Sequence, residues 1–173
     1  MKIDMDQLAG IAYMGLYDRR SVMSGLVFAI LVFAAASSGA VFKPGEWYLS
    51  LKRPSWTPPS WAFPVVWTIL YIMIAISGWM VWERAGWSAA IAVWGLQLVI
   101  NAAWSWLFFG RRRMDLAMID VSLLFAAVVG YIVLAWPISQ TAAYLFMPYA
   151  LWVATAATLN YSVWQLNRDS IST

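Results

Sequence analysis

The sequence contains no cysteine and no histidine. Without cysteine the chain has no disulfide and no thiolate nucleophile, and without histidine it lacks the commonest metal ligand and the usual proton carrier near neutral pH. No metal site is therefore predicted, no residue is assigned a catalytic role, and conventional hydrolysis or group transfer is not expected. A bound haem would also lack its common axial ligands.

Charged residues are scarce as well. They make up 11% of the 173 residues, and the net charge of +3 at pH 7 is too small to indicate a nucleic-acid partner. Hydrophobic residues make up 63%, and several apolar runs exceed the ~18 residues that argue for a transmembrane helix. The composition predicts an all-α, multi-pass integral membrane protein in contact with the lipid bilayer. We expect a bacterial membrane, and inner or outer stays open.

Five transmembrane helices are predicted, at about residues 22–41, 64–82, 88–109, 116–136 and 141–166. One long and three short connections join them into an up-down bundle, a single domain over residues 22–167. Residues 1–21 are too short and too interrupted by polar residues to span, so we expect a disordered extension or a helix at the membrane surface. Residues 168–173 form a polar tail.

The segment of residues 43–67 contains five of the seven prolines and four of the thirteen tryptophans. Proline removes backbone donors and fixes φ, so this segment cannot be a regular helix throughout. Its large rings nevertheless have apolar area to bury. We predict a stiff lid over the end of the bundle, in which Trp56 and the Pro58–Pro59 corner close a pocket while Phe63 and Trp67 form its wall.

Three predicted spans carry rings and amides at helical spacing, which places them on one face of each helix. These faces hold Phe63, Trp67, Tyr71 and Gly78 on the second span, Trp94, Gln97, Asn101, Trp104 and Phe108 on the third, and Tyr149, Trp152, Ala156 and Asn160 on the fifth. An unpaired amide in an apolar medium costs roughly 2–7 kcal/mol, so the amides should face the bundle interior. Two interpretations stay open: a pocket for a large, flat, mostly apolar ligand, or helix-to-helix packing alone.

Two further features concern the third and fourth spans. Ala92, Gly95, Val99 and Ala102 form a small-residue seam opposite the ring-and-amide face of the third span, which predicts a homodimer contact, or else packing against another helix of the same chain. Asp120 lies about one turn into the fourth span. It is expected to pair with a cation or with helix-end donors, in a structural role rather than as a proton relay.

Four stretches of the sequence form a specific combination of motifs. They are KPGEWY at residues 43–48, PSWTPPSWAFPVVWTILY at 54–71, QLVINAAWSWLFFG at 97–110, and PYALW at 148–152 followed by ATLNY at 157–161. With them the sequence resembles the TspO/translocator-protein family, the tryptophan-rich sensory proteins that include the peripheral-type benzodiazepine receptor. The resemblance covers nearly everything from about residue 25 to residue 167.

The resemblance implies a five-helix bundle, usually dimeric, with a pocket that accepts porphyrins and synthetic benzodiazepine- or isoquinoline-type ligands. By matched position the pocket residues would be Trp56, Phe63, Trp67, Asn101, Trp104, Trp152 and Ala156, to which the helical faces add Tyr71 and Tyr149. The family is also linked to sterol through a short motif. Here Leu159-x-Tyr161 is present, but Arg168 follows after six intervening residues where the pattern allows one to five, so no strong sterol site is predicted.

Three functions remain in view. The first is a protein that binds and senses a protoporphyrin-type tetrapyrrole, as a ligand rather than a cofactor; the lack of histidine and cysteine favours a metal-free porphyrin over haem. The second is light- and oxygen-dependent degradation of a bound porphyrin, with stacked tryptophans as redox partners. The third is transport of a tetrapyrrole or lipid, against which the sequence shows no inverted internal repeat.

Overall fold

The computed structural model describes the backbone of residues 5–171 and the side chains of residues 19–168. Its helices are α1 (Met5–Val41), α2 (Glu46–Ser50), α3 (Ala62–Ala85), α4 (Ala89–Ser105, continued by a π-helical turn at Trp106–Gly110), α5 (Met114–Ala135) and α6 (Gln140–Ile171). All but α2 contain a stretch long and apolar enough to cross a membrane. For the described residues, the prediction of an all-α membrane protein with five spans is confirmed.

The chain ends differ from the prediction. Residues 5–21 continue α1 without a break. A position at the membrane surface stays a prediction. Residues 1–4 lie outside the described part of the chain. At the other end α6 runs on to Ile171, into the predicted polar tail, and residues 172–173 are likewise outside the described part.

The five long helices form a closed ring in the order α1, α3, α6, α5, α4, each in contact with its two neighbours. Three of the connections are short, at residues 86–88, 111–113 and 136–139, so successive spans run in opposite directions. The fourth connection, residues 42–61, contains the short helix α2 and is called the first loop below. The ring encloses an interior that is filled at one end only.

The half of the bundle away from the first loop is solidly packed around Trp94. Its indole Nε1 donates to the carbonyl of Ile74 at 2.9 Å, and its ring lies 4.6 Å from that of Phe28. A Cβ added to Gly78 would come within 2.5 Å of the same indole, so only glycine allows this approach. Trp94 and Gly78, both on the predicted ring-and-amide faces, therefore pack the core and do not line a pocket.

The end of α4 widens into a π-helical turn. The Arg111 N–H donates to the Trp106 carbonyl at 2.8 Å, and the Arg113 N–H donates to the Leu107 carbonyl at 3.0 Å. Arg112 then reverses the chain with a left-handed φ of 55°. A Cβ added to Gly110 would lie 2.9 Å from the ring of Phe42, the residue that follows α1. The turn is thus packed directly against the start of the first loop.

Candidate functional site

At the first-loop end the ring of helices encloses a cavity of about 620 Å³. All five spans and the first loop contribute to its wall. The volume lies within the roughly 300–1,000 Å³ range that is usual for small-molecule sites. The cavity stops where Trp94 and its neighbours fill the interior, about halfway along the bundle.

Seven of the nine predicted pocket residues line this cavity: Phe63, Trp67, Tyr71, Asn101, Trp104, Trp152 and Ala156. They lie on α3, α4 and α6, towards the first-loop end of α3 and α4 and near the middle of α6. The predicted faces therefore converge, and they do so at the end of the bundle where the proline-rich segment begins. That these residues contact a ligand stays a prediction.

Trp56 and Tyr149 do not line the cavity. Trp56 is 47% exposed, because the N–H and side-chain hydroxyl of Thr57 both donate to the Pro54 carbonyl, at 3.1 and 2.7 Å, and this tight turn directs the indole away. Pro58, its predicted partner in closing the pocket, is in the wall. Tyr149 is fully buried, within the floor but out of contact with the cavity itself.

The floor is a chain of four hydrogen-bonded side chains that connects α3, α4 and α6. The Tyr71 hydroxyl donates to Asn101 Oδ1 at 2.9 Å, and Asn101 Nδ2 donates to the Tyr149 hydroxyl at 3.0 Å. That hydroxyl in turn donates to Gln97 Oε1 at 3.0 Å. Asn101 therefore ties the helices together and also lines the cavity.

Three polar atoms in cavity-lining residues have no hydrogen-bond partner among the described residues. They are Nε1 of Trp104, Nε1 of Trp152 and Oδ1 of Asn160, all buried. The Asn160 amide is held in place because its Nδ2 donates to the Met114 carbonyl at 3.1 Å. A buried polar group without a partner costs about 1–3 kcal/mol. The atoms themselves are buried, so the surface that these three residues present to the cavity is mainly apolar.

The first loop is held to the π-helical turn by aromatic contacts. The ring of Tyr48 on α2 packs edge-on against Phe109 at 5.5 Å, and that of Trp47 packs edge-on against Phe108 at 6.0 Å. The Arg112 guanidinium lies 5.8 Å from the centroid of Trp47. Tyr48 and Phe108 also line the cavity, so these contacts join the first loop to the cavity wall.

A second attachment joins the first loop to the end of α6. The Lys52 N–H donates to Asn167 Oδ1 at 3.0 Å, and Asn167 Nδ2 donates to the Lys52 carbonyl at 2.9 Å and to the Val163 carbonyl at 2.7 Å. Asn167 is only 5% exposed. The sequence analysis missed this residue, although its spacing of seven from Asn160 places both amides on one helix face.

Arg53 stands at the rim of the cavity, and among the described residues that line it Arg53 alone carries a formal charge. Its guanidinium lies 5.3 Å from the centroid of the Tyr48 ring. The rest of the wall consists of apolar side chains, hydroxyls, indoles and amides. The cavity is therefore neutral inside and positive at its mouth.

Asp120 differs from the expectation. Its Oδ2 is buried and has no hydrogen-bond partner among the described residues, so the expected pairing is wrong for this oxygen. The nearby cation Arg113 is bonded instead to Asp115, with Nε to Oδ1 at 2.8 Å and Nη2 to Oδ2 at 2.6 Å. In the described part of the chain, carboxylate side chains do not gather in a group able to hold a metal ion.

The predicted dimer seam faces outward over most of its length. Val99 is 68% exposed and Ala92 is also exposed, while a Cβ added to Gly95 would meet nothing within 4 Å. Ala102 is half-buried and packs against the core of its own chain. The alternative of packing within the chain therefore holds for Ala102 alone, and the homodimer stays a prediction.

Known proteins resemble this chain along most of its length. The TspO/MBR family matches residues 26–165. The chain is 41% identical over 152 residues to protein CrtK of Rhodobacter capsulatus, which covers 84% of this chain and 95% of the relative. It is 35% identical to the tryptophan-rich sensory protein of Cereibacter sphaeroides, over 82% of this chain and 90% of the relative. It is 39% identical to the translocator protein of Homo sapiens, over 75% of this chain and 81% of the relative.

Proposed function

The chain belongs to the TspO/MBR family, and from this premise we propose that it binds a protoporphyrin-type tetrapyrrole in the cavity and acts as a sensory or regulatory protein of the membrane. Five apolar helices and the family agree that it is an integral, multi-pass membrane protein. Two relatives bear the names tryptophan-rich sensory protein and translocator protein, which supports a role in sensing or handling a ligand.

The observation that carries the proposal is a cavity walled by flat rings. Trp67 is stacked on Tyr71 at 5.2 Å and 27°, and Trp104 is stacked on Phe108 at 5.1 Å and 22°. Stacked pairs of this kind present broad planar faces, and aromatic rings contribute large apolar contact areas with defined geometry. Such walls suit a flat, extended ring system better than a compact or flexible ligand.

The neutral interior of the cavity suits a metal-free macrocycle. A free-base tetrapyrrole ring is neutral, and the wall residues Asn160, Trp104 and Trp152 are neutral as well. A haem would need an axial ligand, and the chain has neither histidine nor cysteine. Benzodiazepine- and isoquinoline-type compounds, which also carry flat aromatic rings, would use the same walls.

The first loop is proposed to act as a lid, and the outward seam of α4 as the contact of a homodimer. The loop contributes Phe42, Tyr48, Arg53 and Pro58 to the cavity wall, so a ligand that arrives from this end must displace it. The seam is exposed at Ala92 and Val99 and has open space at Gly95, and small residues on such a surface let helices approach closely in lipid.

The proposal is tested by titrating the purified protein, in lipid nanodiscs, with protoporphyrin IX and following the quenching of intrinsic tryptophan fluorescence. Saturable quenching is expected, with affinity reduced in Trp104→Phe and Trp152→Phe. Trp87→Phe, at an exposed site outside the cavity, is the control and should bind like the wild type. Quenching that never saturates, or that responds equally to all three substitutions, would remove the cavity as the site.

The same samples separate binding from turnover. The porphyrin is illuminated in air with the protein and with an unrelated membrane protein at equal concentration. Equal bleaching rates with the two proteins would indicate that this protein only binds the porphyrin. Faster bleaching that depends on Trp104 or Trp152 would indicate a light-dependent porphyrin-degrading enzyme. Movement of porphyrin across liposomes that contain the protein would instead favour a transporter.

A further inference from the structure

A groove lies on the outer surface of the bundle between α3 and α6. It encloses about 290 Å³, and residues of both helices line it. Two of them, Ile69 and Leu151, are 53% and 72% exposed, so the groove opens sideways towards lipid. Its side chains are apolar or aromatic except for Thr155, whose hydroxyl donates to the Leu151 carbonyl of its own helix at 2.9 Å. A mostly apolar molecule can therefore enter the groove without taking any polar group from its partner.

One side chain separates this groove from the cavity. Trp152 lines both, and among the described residues it alone does so. Its neighbours on α6 divide between the two sides, since Val153 and Ala156 line the cavity whereas Leu151 and Thr155 line the groove. At this point a single indole therefore stands between the interior of the bundle and the lipid.

The Trp152 indole is held by packing and not by a hydrogen bond. Its Nε1 is buried without a partner among the described residues, and its ring meets that of Phe63 edge-on at 5.7 Å. Trp94 provides the contrast, because its Nε1 donates to a backbone carbonyl and fixes the ring in the core. Turning Trp152 aside breaks no hydrogen bond of its side chain, whereas lifting the first loop breaks both bonds between Asn167 and Lys52.

Helix α6 is weakened next to this indole. Pro148 lies inside α6, one turn before Trp152, and it lines the groove. Because proline has no N–H, the carbonyl of Tyr144 does not receive the hydrogen bond that a regular helix would give it. Helices bend more readily at such a position. A small bend here would move the indole relative to α3.

The position of the groove suits a ligand that arrives from lipid. It lies on the α3–α6 side of the five-helix ring, across from α4, so a homodimer through the α4 seam would leave it open. A flat, mostly apolar molecule partitions from water into the bilayer, because removing apolar surface from water is favourable. From there the groove is reached within the hydrocarbon layer, whereas the first loop is reached from the membrane surface.

We propose that this groove is the passage between the bilayer and the cavity, and that the Trp152 indole opens and closes it. The inference rests on the proposed function, and it assigns the route rather than the ligand. A molecule first lies in the groove against Trp152, and the indole then turns aside to admit it. The first loop keeps a separate role, because its contacts stabilise the occupied cavity. The groove sets the rates of entry and exit, and the loop sets the affinity.

The experiment narrows the groove from either helix without altering a residue of the cavity. Thr155→Phe on α6 and Ile69→Trp on α3 add bulk at exposed positions of the groove. The matched controls are Thr158→Phe and Ile72→Trp, at exposed positions of the same two helices that line neither the groove nor the cavity.

Protoporphyrin IX is the probe, and each variant is held in lipid nanodiscs. Stopped-flow mixing with porphyrin gives the association rate, and mixing of loaded nanodiscs with an excess of empty ones gives the dissociation rate. The emission of the porphyrin itself is followed under direct excitation, so that an added tryptophan does not enter the signal. Equilibrium titration of the same samples gives the affinity.

Narrowing the passage should slow both directions equally. In Thr155→Phe and Ile69→Trp the association and dissociation rate constants should each fall about tenfold, as expected for an added barrier of the size that overpacking produces. The affinity should stay within about twofold of the wild type, since a change confined to the route acts equally on both rates. Both controls should keep the wild-type rates.

Three results would overturn the inference while leaving the proposed function in place. They are wild-type rates in either groove variant, equal slowing in the controls, and a loss of affinity with unchanged association. The first would send the ligand past the first loop, the second would reflect bulk on the lipid face, and the third would place the effect in the bound state. If protoporphyrin does not bind the wild type saturably, the proposed function itself fails. Should one groove variant not fold, the other, on a different helix, decides the question.

Discussion

Asn167 pairs with the backbone of Lys52 as a neighbouring strand would. Its amide accepts from the Lys52 N–H at 3.0 Å and donates to the Lys52 carbonyl at 2.9 Å. The side chain reaches across 115 positions of the sequence to do so. Because the first loop has no regular partner for its backbone at this point, one amide on α6 determines where the loop is anchored.

Replacing Asn167 should therefore loosen the proposed lid. Asn167→Ala leaves the Lys52 N–H and carbonyl without their partner, and each lost hydrogen bond contributes about 1 kcal/mol. We expect protoporphyrin to dissociate roughly tenfold faster, with a smaller change in association, as measured by stopped-flow displacement. Gln165→Ala, an exposed amide on the same helix, is the control. Identical dissociation rates for the two variants would show that the anchor does not govern release.

The volume of the cavity gives a second prediction. Ala156 lines the wall, and Ala156→Leu adds three carbon atoms to it. Overpacking of this size costs about 1–3 kcal/mol, so affinity for a flat ligand should fall by about tenfold or more. Thr158→Leu, on the exposed side of α6, adds similar bulk away from the cavity and should have no effect. Fluorescence titration measures both, and unchanged affinity in Ala156→Leu would place the ligand elsewhere.

The floor of the cavity yields a prediction about stability. Asn101→Ala removes the amide that accepts from Tyr71 and donates to Tyr149, so the Tyr71 hydroxyl loses its acceptor and the Tyr149 hydroxyl loses its donor while keeping its bond to Gln97. A loss of about 2–3 kcal/mol of unfolding free energy is expected. Tyr71→Phe removes one hydrogen bond, at the end of the series of four side chains, and should lower the free energy of unfolding by about half as much. Thermal unfolding in one detergent ranks the two, and the reverse order would contradict the hydrogen-bond chain.

The seam of α4 can be tested independently of any ligand. Val99→Trp places a bulky ring on the proposed contact and should convert a dimer into a monomer, as measured by light scattering of the detergent-solubilised protein. Ile72→Trp, at an exposed site on α3, controls for the added bulk and should remain dimeric. A wild type that is monomeric at all concentrations, or a dimer that survives Val99→Trp, would exclude this contact.

Much of this architecture could be predicted from the sequence because lipid imposes simple rules. A span needs a long apolar run, and a polar or aromatic face repeats at the helical period, so the five helices and the residues facing inward were within reach. The depth of the cavity could not be predicted from the sequence. It depends on Trp94 filling the interior against Gly78, a contact between two helices that periodicity cannot distinguish from a pocket wall.

Other parts of the wall carry no distinctive signal. Gly39 of α1 and Leu124 of α5 line the cavity, yet small and aliphatic residues look the same on a cavity wall, on a helix contact and on the lipid face. Trp56 was predicted to be a pocket residue because it is a large aromatic ring. The tight turn at Pro54 directs this ring outward instead. Asn167 could be recognised only with its distant partner Lys52 in place.

The π-helical turn at the end of α4 acts as a one-residue phase shift. Each residue of an α-helix advances the side chains by about 100°, so one inserted residue rotates everything that follows by that angle. This rotation places the Arg112 guanidinium over the ring of Trp47 in the first loop. A chain shorter by one residue here would keep Asn101 and Trp104 in the cavity wall but lose the meeting of basic turn and loop. The length of this segment, more than its composition, sets that register.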